Sequence, residues 1–287
     1  MTEIDVERRF GGVSRLYGTA GLAKLQAAHI VVVGVGGVGS WAAEALARNA
    51  VGNITLIDLD NIAESNVNRQ IHAMDANFGK AKVSAMRERI LSINPHCNVR
   101  EIEDFVTVEN ASKMLDFQFD CLVDCIDDAP AKAVLAALCK NTHSPIIMSG
   151  GAGGRLDPTR IQIADLSQVK NDKLLAKVRS ILRADYSYPK GNSNPKKSTK
   201  MNVTCVFSDE PALTPNEAQN ASCELPNQHN IQEDALQANI HEGSGDAKNP
   251  RPITGINCAG YGSSVCVTAP MGFAAAQLAI NIIVART

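Results

Sequence analysis

No C-x-x-C pair occurs anywhere in this 287-residue chain, although it has eight cysteines, at 97, 121, 125, 139, 205, 223, 258 and 266. Cys121 and Cys125 sit four apart in a predicted strand with no second pair to complete a tetrahedral site, which argues against a structural zinc. The thiols are scattered, several of them in apolar segments, so a disulfide scaffold is not expected in a chain of this size. Nor is a leader expected from the opening Met1-Thr-Glu-Ile-Asp-Val-Glu7, which is acidic and polar where a signal or transit peptide would be basic and apolar; a cytosolic location is the default expectation. The apolar run Ala269 to Ala285 is Ala-rich and carries Gln277 and Asn281. It is expected to fall short of a membrane span and to form a packed or dimer-forming helix. Net charge is only −2, which gives no global attraction to nucleic acid or acidic membranes, though local patches could still supply one. No internal repeat is found. With 45% hydrophobic and 20% charged residues, the chain can bury the core of one large or two modest globular domains.

What is abundant is glycine at one place. Residues 34, 36, 37 and 39 are glycines between the β-branched run Ile30 to Val33 and an amphipathic segment, Ala42 to Asn49. A strand, a glycine turn and a helix start let backbone N–H groups approach a phosphate at the helix N-terminus. A second apolar strand, Ile54 to Ile57, ends at Asp58, placed to accept ribose hydroxyls. Further strand runs at Asn98–Ile102, Cys121–Val123 and Pro145–Met148 alternate with predicted helices at Lys80–Ile93 and Ala129–Asn141. An arm over Arg8–Gly18 and a short helix at Ala20–Ala27 come before the first strand. Such alternation predicts an α/β fold, a doubly wound and mainly parallel sheet, with its ligand crevice at the carboxyl ends of the strands.

Four features at those strand ends bear on which nucleotide is bound. Asp58-Leu-Asp60 offers two carboxylates. Ser65-Asn-Val-Asn-Arg-Gln70 supplies amides and Arg69, a guanidinium suited to a triphosphate and its leaving pyrophosphate, which hydride transfer would not need. Lys82 stands in the first turn of a helix, where ammonium and helix dipole both favour phosphate. Asp124-Cys-Ile-Asp127-Asp128 closes the fourth strand with carboxylates suitable for Mg²⁺, which takes one or two of them plus phosphate oxygens. Taken singly, Arg69 could be a surface ion pair, Lys82 a solvated residue, and Asp127 or Asp128 a helix cap. Their joint occurrence on one sheet points to ATP and Mg²⁺.

Beyond Gly150 the character changes. Strands are expected at Arg160–Ile163, Asn202–Phe207 and Pro252–Asn257, with a helix from Asp172 to Arg183, so antiparallel strands extend the sheet in the C-terminal half. The division expected is an ATP-binding region with its arm over 1–165 and a substrate or dimer region over 166–287. Residues 170–200 carry Lys170, Lys173, Lys177, Arg179, Arg183, Lys190, Lys196, Lys197 and Lys200 against Asp172 and Asp185. This is either a polyanion-binding surface or a solvated helix face with a loop. Residues 208–250 are acidic and polar with little apolar periodicity, and are expected to be mobile or disordered.

The ordered motifs G-x-G-G-x-G, L-I-D-x-D, S-N-x-N-R-Q, G-x-x-K and D-x-x-D resemble the adenylating enzymes related to ThiF, MoeB and the ubiquitin-activating enzymes, over about residues 8–150. The segments Arg9 to Gly18, Ser40 to Arg48, Asn68 to His72, Gly150 to Thr159, Val203 to Ser208 and Asn257 to Ser263 are similar to the tRNA threonylcarbamoyladenosine dehydratase branch. The resemblance implies a Rossmann-like fold and ATP-dependent cyclisation of threonylcarbamoyladenosine next to a tRNA anticodon. The threonyl carboxylate would attack the α-phosphate of ATP with loss of pyrophosphate, and an internal nucleophile would then close the ring with loss of AMP. It further implies that Gly34, Gly36, Gly37 and Gly39 hold phosphate and adenosine, that Asp58 holds the ribose with Asp60 on the neighbouring backbone or metal region of the nucleotide site, that Asn66, Arg69, Gln70 and Lys82 surround the triphosphate, and that Asp127 binds Mg²⁺. It implies a homodimer in which an N-terminal arginine, here Arg15, completes the partner's site, and a cysteine desulfurase system as a partner. Asp128 departs from the Asn of many relatives. Cys205 and Cys258 match the branch and are read as buried structural thiols.

Three rivals stand beside this reading. Adenylation of the C-terminal glycine of a ubiquitin-like sulfur carrier is weakened by the lack of C-x-x-C pairs. A nicotinamide-dependent oxidoreductase is weakened by Arg69 and Lys82. A non-catalytic nucleotide-sensing module would release no pyrophosphate.

Overall fold

Alternation within a single strand sets the layering. In β1 (His29–Val33), Ile30 and Val32 join one buried cluster while Val31 and Val33 join another. The strand is therefore covered on both faces, which is why it reads as a continuous apolar run. The computed structural model describes residues 5–190, 199–214 and 261–286. β1 pairs in parallel with β2 (Asn53–Ile57) and with β4 (Cys121–Asp124). β3 (Asn98–Ile102) lies outside β2 and β5 (Ile146–Ser149) beyond β4, both parallel to their neighbours. The expected extension from the C-terminal half is the pair β6 (Ile161–Asp165) and β7 (Thr204–Ser208). β7 joins parallel to β5 and β6 runs antiparallel at the edge, giving the order β3-β2-β1-β4-β5-β7-β6. Strand order reverses between β1 and β4, and a crevice opens at such a switch point.

Helices α1 (Val6–Ala27), α2 (Gly39–Arg48) and α3 (Lys82–Ile93) contribute to the Ile30/Val32 cluster. The short α4 (Ala111–Met114), α5 (Ala129–Asn141) and α6 (Lys173–Asp185) contribute to the opposite one. The C-terminal α7 (Val265–Ala285) returns to the first face. Asp172 caps α6, its carboxylate accepting from Leu175 N at 2.9 Å and from Gly151 N at 2.9 Å. One cap thus ties the basic helix to the loop after β5.

Several expectations need correction. The segment Arg8–Gly18 is not an arm but the first part of α1, capped by Asp5, with a break at Gly18 (φ 78) where the chain kinks. Tertiary packing overrides the weak propensity of Gly11 and Gly12, since Phe10 is buried and Val13 and Tyr17 pack on the core. α3 starts at Lys82 rather than Lys80, because residues 79–81 form a turn through Gly79 (φ 81) and a bridge from Ala81 to Asn61. By length and composition α7 does qualify as a membrane span. Packing decides its reading: Val267, Met271, Ala275, Ala279 and Ile283 are buried against α2, α1 and the sheet. The strand expected at Pro252–Asn257, Cys258, Lys196, Lys197 and most of the acidic stretch 208–250 lie outside the described residues.

Candidate nucleotide site

The crevice encloses a cavity of about 700 Å³ at the carboxyl ends of β1, β2, β4 and β5. Its floor is the turn after β1. Gly34 has φ 83, a left-handed conformation that disfavours any side chain, and its N–H is held by Ile57 O at 2.8 Å. A Cβ on Gly39 would lie 1.8 Å from Gly34 O. Gly39 therefore does not line the cavity; its glycine is required by the loop folding back on itself, whereas Gly34, Gly36 and Gly37 do line it. Val35 is clamped from two sides. Its N–H donates to Asp58 Oδ2 at 2.7 Å, and its carbonyl lies 3.0 Å from His72 Nε2.

Asp58 ends β2 nearly buried, with Oδ1 accepting from Asp60 N at 2.9 Å. Burial pushes its carboxyl up, opposed by the nearby Lys82 ammonium and by the two backbone donors. Each of its oxygens keeps a lone pair for a ribose hydroxyl. Lys82, at the first position of α3, is buried and places Nζ 2.7 Å from Asp60 Oδ2. Asp60 is thus the partner of the lysine at the cavity wall. Arg69 lines the same wall, its Nη1 donating to Ser65 O at 2.6 Å and Asn68 Oδ1 at 2.9 Å. Partial burial lowers its pKa. Gln70 is buried beside it with Oε1 lacking a partner.

Not every expected residue reaches the cavity. Asn66 does not line it; its Oδ1 accepts from Ala63 N at 3.0 Å and closes a turn. Arg15 is exposed on α1 and does not line the cavity of its own chain. Asp127 lies exposed on the far wall, on the loop between β4 and α5. Asp128 lines the cavity too but spends its carboxylate capping α5, with Ala131 N at 2.8 Å. Among the described residues no three His, Cys, Asp or Glu side chains converge as a metal cage.

Further participants include the β3–α4 loop and Lys132, which carried no motif signal, and Asp124, which opens the D-x-x-D run. The loop after β3 forms one rim, where Phe105 and Val108 are exposed. Asp124 and Lys132 form a fully buried ion pair of 3.0 Å, and Asp124 Oδ1 also accepts from Ile126 N at 3.2 Å, just ahead of Asp127. Five of the described thiols are kept protonated by burial and so are not primed for nucleophilic attack. Burial pushes Cys97, Cys121, Cys125 and Cys139 up to about 12, and raises Cys205 as well. The basic segment divides in two. Arg179 donates to Leu166 O and Val169 O, and Arg183 to Pro189 O, so both fasten local backbone, whereas Lys170, Lys173, Lys177 and Lys190 are exposed. At the start of the acidic stretch, Asp209 pairs with Arg160, and Glu210 accepts from Leu156 N and Asp157 N.

A glycine turn at a helix start, a carboxylate at the end of the next strand, and lysine and arginine on one crevice define a Rossmann-like nucleotide-binding protein. The chain belongs to the ThiF family, whose profile matches residues 11–286. It is 42% identical over 283 residues to the tRNA threonylcarbamoyladenosine dehydratase of Haemophilus influenzae, covering 98% of this chain and 95% of that protein. To the enzyme of the same name from Escherichia coli it is 41% identical, covering 97% and 94%. The crystal structure of the E. coli enzyme TcdA in complex with ATP superposes with a TM-score of 0.77 at 39% identity, covering 96% of this chain and 94% of that one. The complex with AMP gives a TM-score of 0.76 at 38% identity, covering 99% and 97%.

Proposed function

We propose that this protein is an ATP-dependent enzyme that cyclises threonylcarbamoyladenosine in tRNA by adenylating its threonyl carboxylate. The observation that carries the proposal is the convergence of the β1–α2 glycine turn, Asp58, Arg69 and Lys82 on one cavity, in a chain similar over nearly its whole length to two dehydratases of that name. The cavity fits the nucleotide: backbone N–H groups at the start of α2 for phosphate, Asp58 for ribose, and two cations for the triphosphate. Asp60 holds Lys82 in place for this task, and the pair separates or adjusts as phosphate competes for the ammonium.

A carboxylate is a poor electrophile until one oxygen becomes a good leaving group. Its attack on the α-phosphorus breaks the bond to the bridging oxygen and releases pyrophosphate. Arg69 and Lys82 counter the charge that develops on the departing group. Attack by an internal nucleophile on the activated carbonyl then releases AMP, which carries away the former carboxylate oxygen, so that the nucleoside loses one water overall. Asp127 would be the protein ligand for Mg²⁺, which needs only one or two carboxylates beside phosphate oxygens and would neutralise phosphate charge. Arg15 is proposed to act across a homodimer. The exposed Lys173 directly precedes Leu174, which lines the cavity, and Lys170, Lys173 and Lys177 supply the contact to the RNA backbone. The same reading places the protein in the cytosol and permits a cysteine desulfurase partner.

The test is pyrophosphate release from ATP and Mg²⁺ with tRNA carrying threonylcarbamoyladenosine, against the same tRNA without it, followed by nucleoside mass analysis. Modification-dependent release with loss of one water is expected. ATP binding with no release on either tRNA would overturn the choice of substrate and turn attention to a protein C-terminus.

A further inference from the structure

Arg69 is held by contacts from outside its own turn. Its carbonyl accepts from Trp41 Nε1 on α2 at 2.9 Å and from Thr268 Oγ1 on α7 at 3.4 Å. Asn68 works on both sides of the turn. Its Oδ1 accepts from Arg69 Nη1 at 2.9 Å, its Nδ2 donates to Ser263 O at 2.7 Å, and its own carbonyl accepts from Val265 N at 3.0 Å. The guanidinium is therefore fixed through Nη1, while Nε and Nη2 have no other partner among the described residues.

An amide is required at 68 for this arrangement, because it accepts from arginine with one atom and donates to a carbonyl with the other. A carboxylate could still take the arginine but would face Ser263 O, acceptor against acceptor. The polypeptide that supplies these anchors starts some two hundred positions later in the sequence, at the N-terminal end of α7, where Ser263 and Thr268 also line the cavity.

We infer that Asn68 is a positioning residue, joining the N-terminal end of α7 to the Arg69 guanidinium so that the arginine's remaining donors are presented to the phosphates of the bound nucleotide. This rests on the nucleotide reading above. It makes α7 part of the phosphate site without α7 contributing a charge.

A binding cycle tests it. ATP and AMP are titrated calorimetrically, with Mg²⁺ and without tRNA, into the wild type, Asn68→Ala, Arg69→Ala and the double variant, and the thermal midpoint of each is recorded. Asn68→Ala is expected to weaken ATP roughly tenfold, as the loss of hydrogen bonds to a charged group would, and to change AMP affinity much less. On the Arg69→Ala background it is expected to add nothing, because its effect runs through the arginine. Asn68→Asp should fail like Asn68→Ala if the Ser263 bond matters. An equal, additive loss on the Arg69→Ala background would overturn the inference, as would unchanged ATP affinity in a folded Asn68→Ala protein. Because the readout is binding, a wild type that binds ATP yet releases no pyrophosphate would sink the proposed reaction while still deciding the role of Asn68. A wild type that binds no ATP would overturn both.

Discussion

His72 makes the stability of this protein depend on acidity in a calculable way. The imidazole is fully buried, with Nε2 at Val35 O and Nδ1 without a partner. Burial, joined by the nearby Lys82 and Arg89 cations and opposed by the Val35 hydrogen bond, lowers its pKa from 6.5 to about 4. Between those two values the unfolded chain binds a proton that the folded chain refuses. Stability is therefore fully present above about pH 6.5 and falls as the pH drops, until the loss saturates below the folded value. The full window of about 2.5 units corresponds to roughly 3 kcal/mol, of which about 2 kcal/mol is gone by pH 5. The assay is urea unfolding at pH 7.5 and pH 5 of the wild type and of His72→Gln. Gln keeps an N–H donor for Val35 O but does not titrate. The variant carries its own cost at neutral pH, so the slopes are what is compared: on acidification it should lose about 2 kcal/mol less than the wild type. Identical losses would refute the assignment of a neutral, pKa-depressed His72 behind the phosphate loop.

Lys132→Met strands Asp124 in the core without its cation, and denaturation should show a loss of about 3–5 kcal/mol, partly recovered in Lys132→Met/Asp124→Asn. Lys82→Ala frees Asp60 to face the cavity; ATP affinity measured by calorimetry should fall at least tenfold, given about 1.5–3 kcal/mol for a charged hydrogen bond. For the proposed RNA surface, Lys173→Ala/Lys177→Ala should weaken tRNA binding and lower the salt slope by about one for each phosphate that is no longer neutralised. Arg179 is left out of that pair because it fastens Leu166 O and Val169 O; Arg179→Ala should instead lower the thermal midpoint.

The sheet was legible because its strands are covered on both faces and so appear as β-branched runs. Asn98–Ile102 and the helix Ala129–Asn141 were read to the residue, the latter starting at the cap that Asp128 offers. The first part of the N-terminal helix, Arg8–Gly18, was missed for the opposite reason, whereas its second part, Ala20–Ala27, was expected. Gly11 and Gly12 speak against helix locally, and only burial of Phe10 and packing of Tyr17 reverse that. The β3–α4 rim was missed because an exposed Phe105 and Val108 in a loop carry no periodicity to detect.

The same distinction runs through the site. Groups whose role is a charge at a strand end, Asp58, Arg69 and Lys82, announce themselves by residue type and position, and the fold gathers them on one crevice. Groups whose role is to hold those charges do not, because their partners are backbone carbonyls supplied by distant elements. His72 is bonded to Val35 O, Trp41 and Thr268 to Arg69 O, and Asn68 to Ser263 O. Any residue can supply a carbonyl, so the partner leaves no trace in sequence. Only the donor does, and a lone Asn, Trp or Thr has many other uses. Preorganisation of this site is therefore written in three dimensions, by α2 and the N-terminal end of α7 among others. A substitution at the N-terminal end of that helix should accordingly disturb phosphate recognition more than its distance in sequence from the glycine turn suggests.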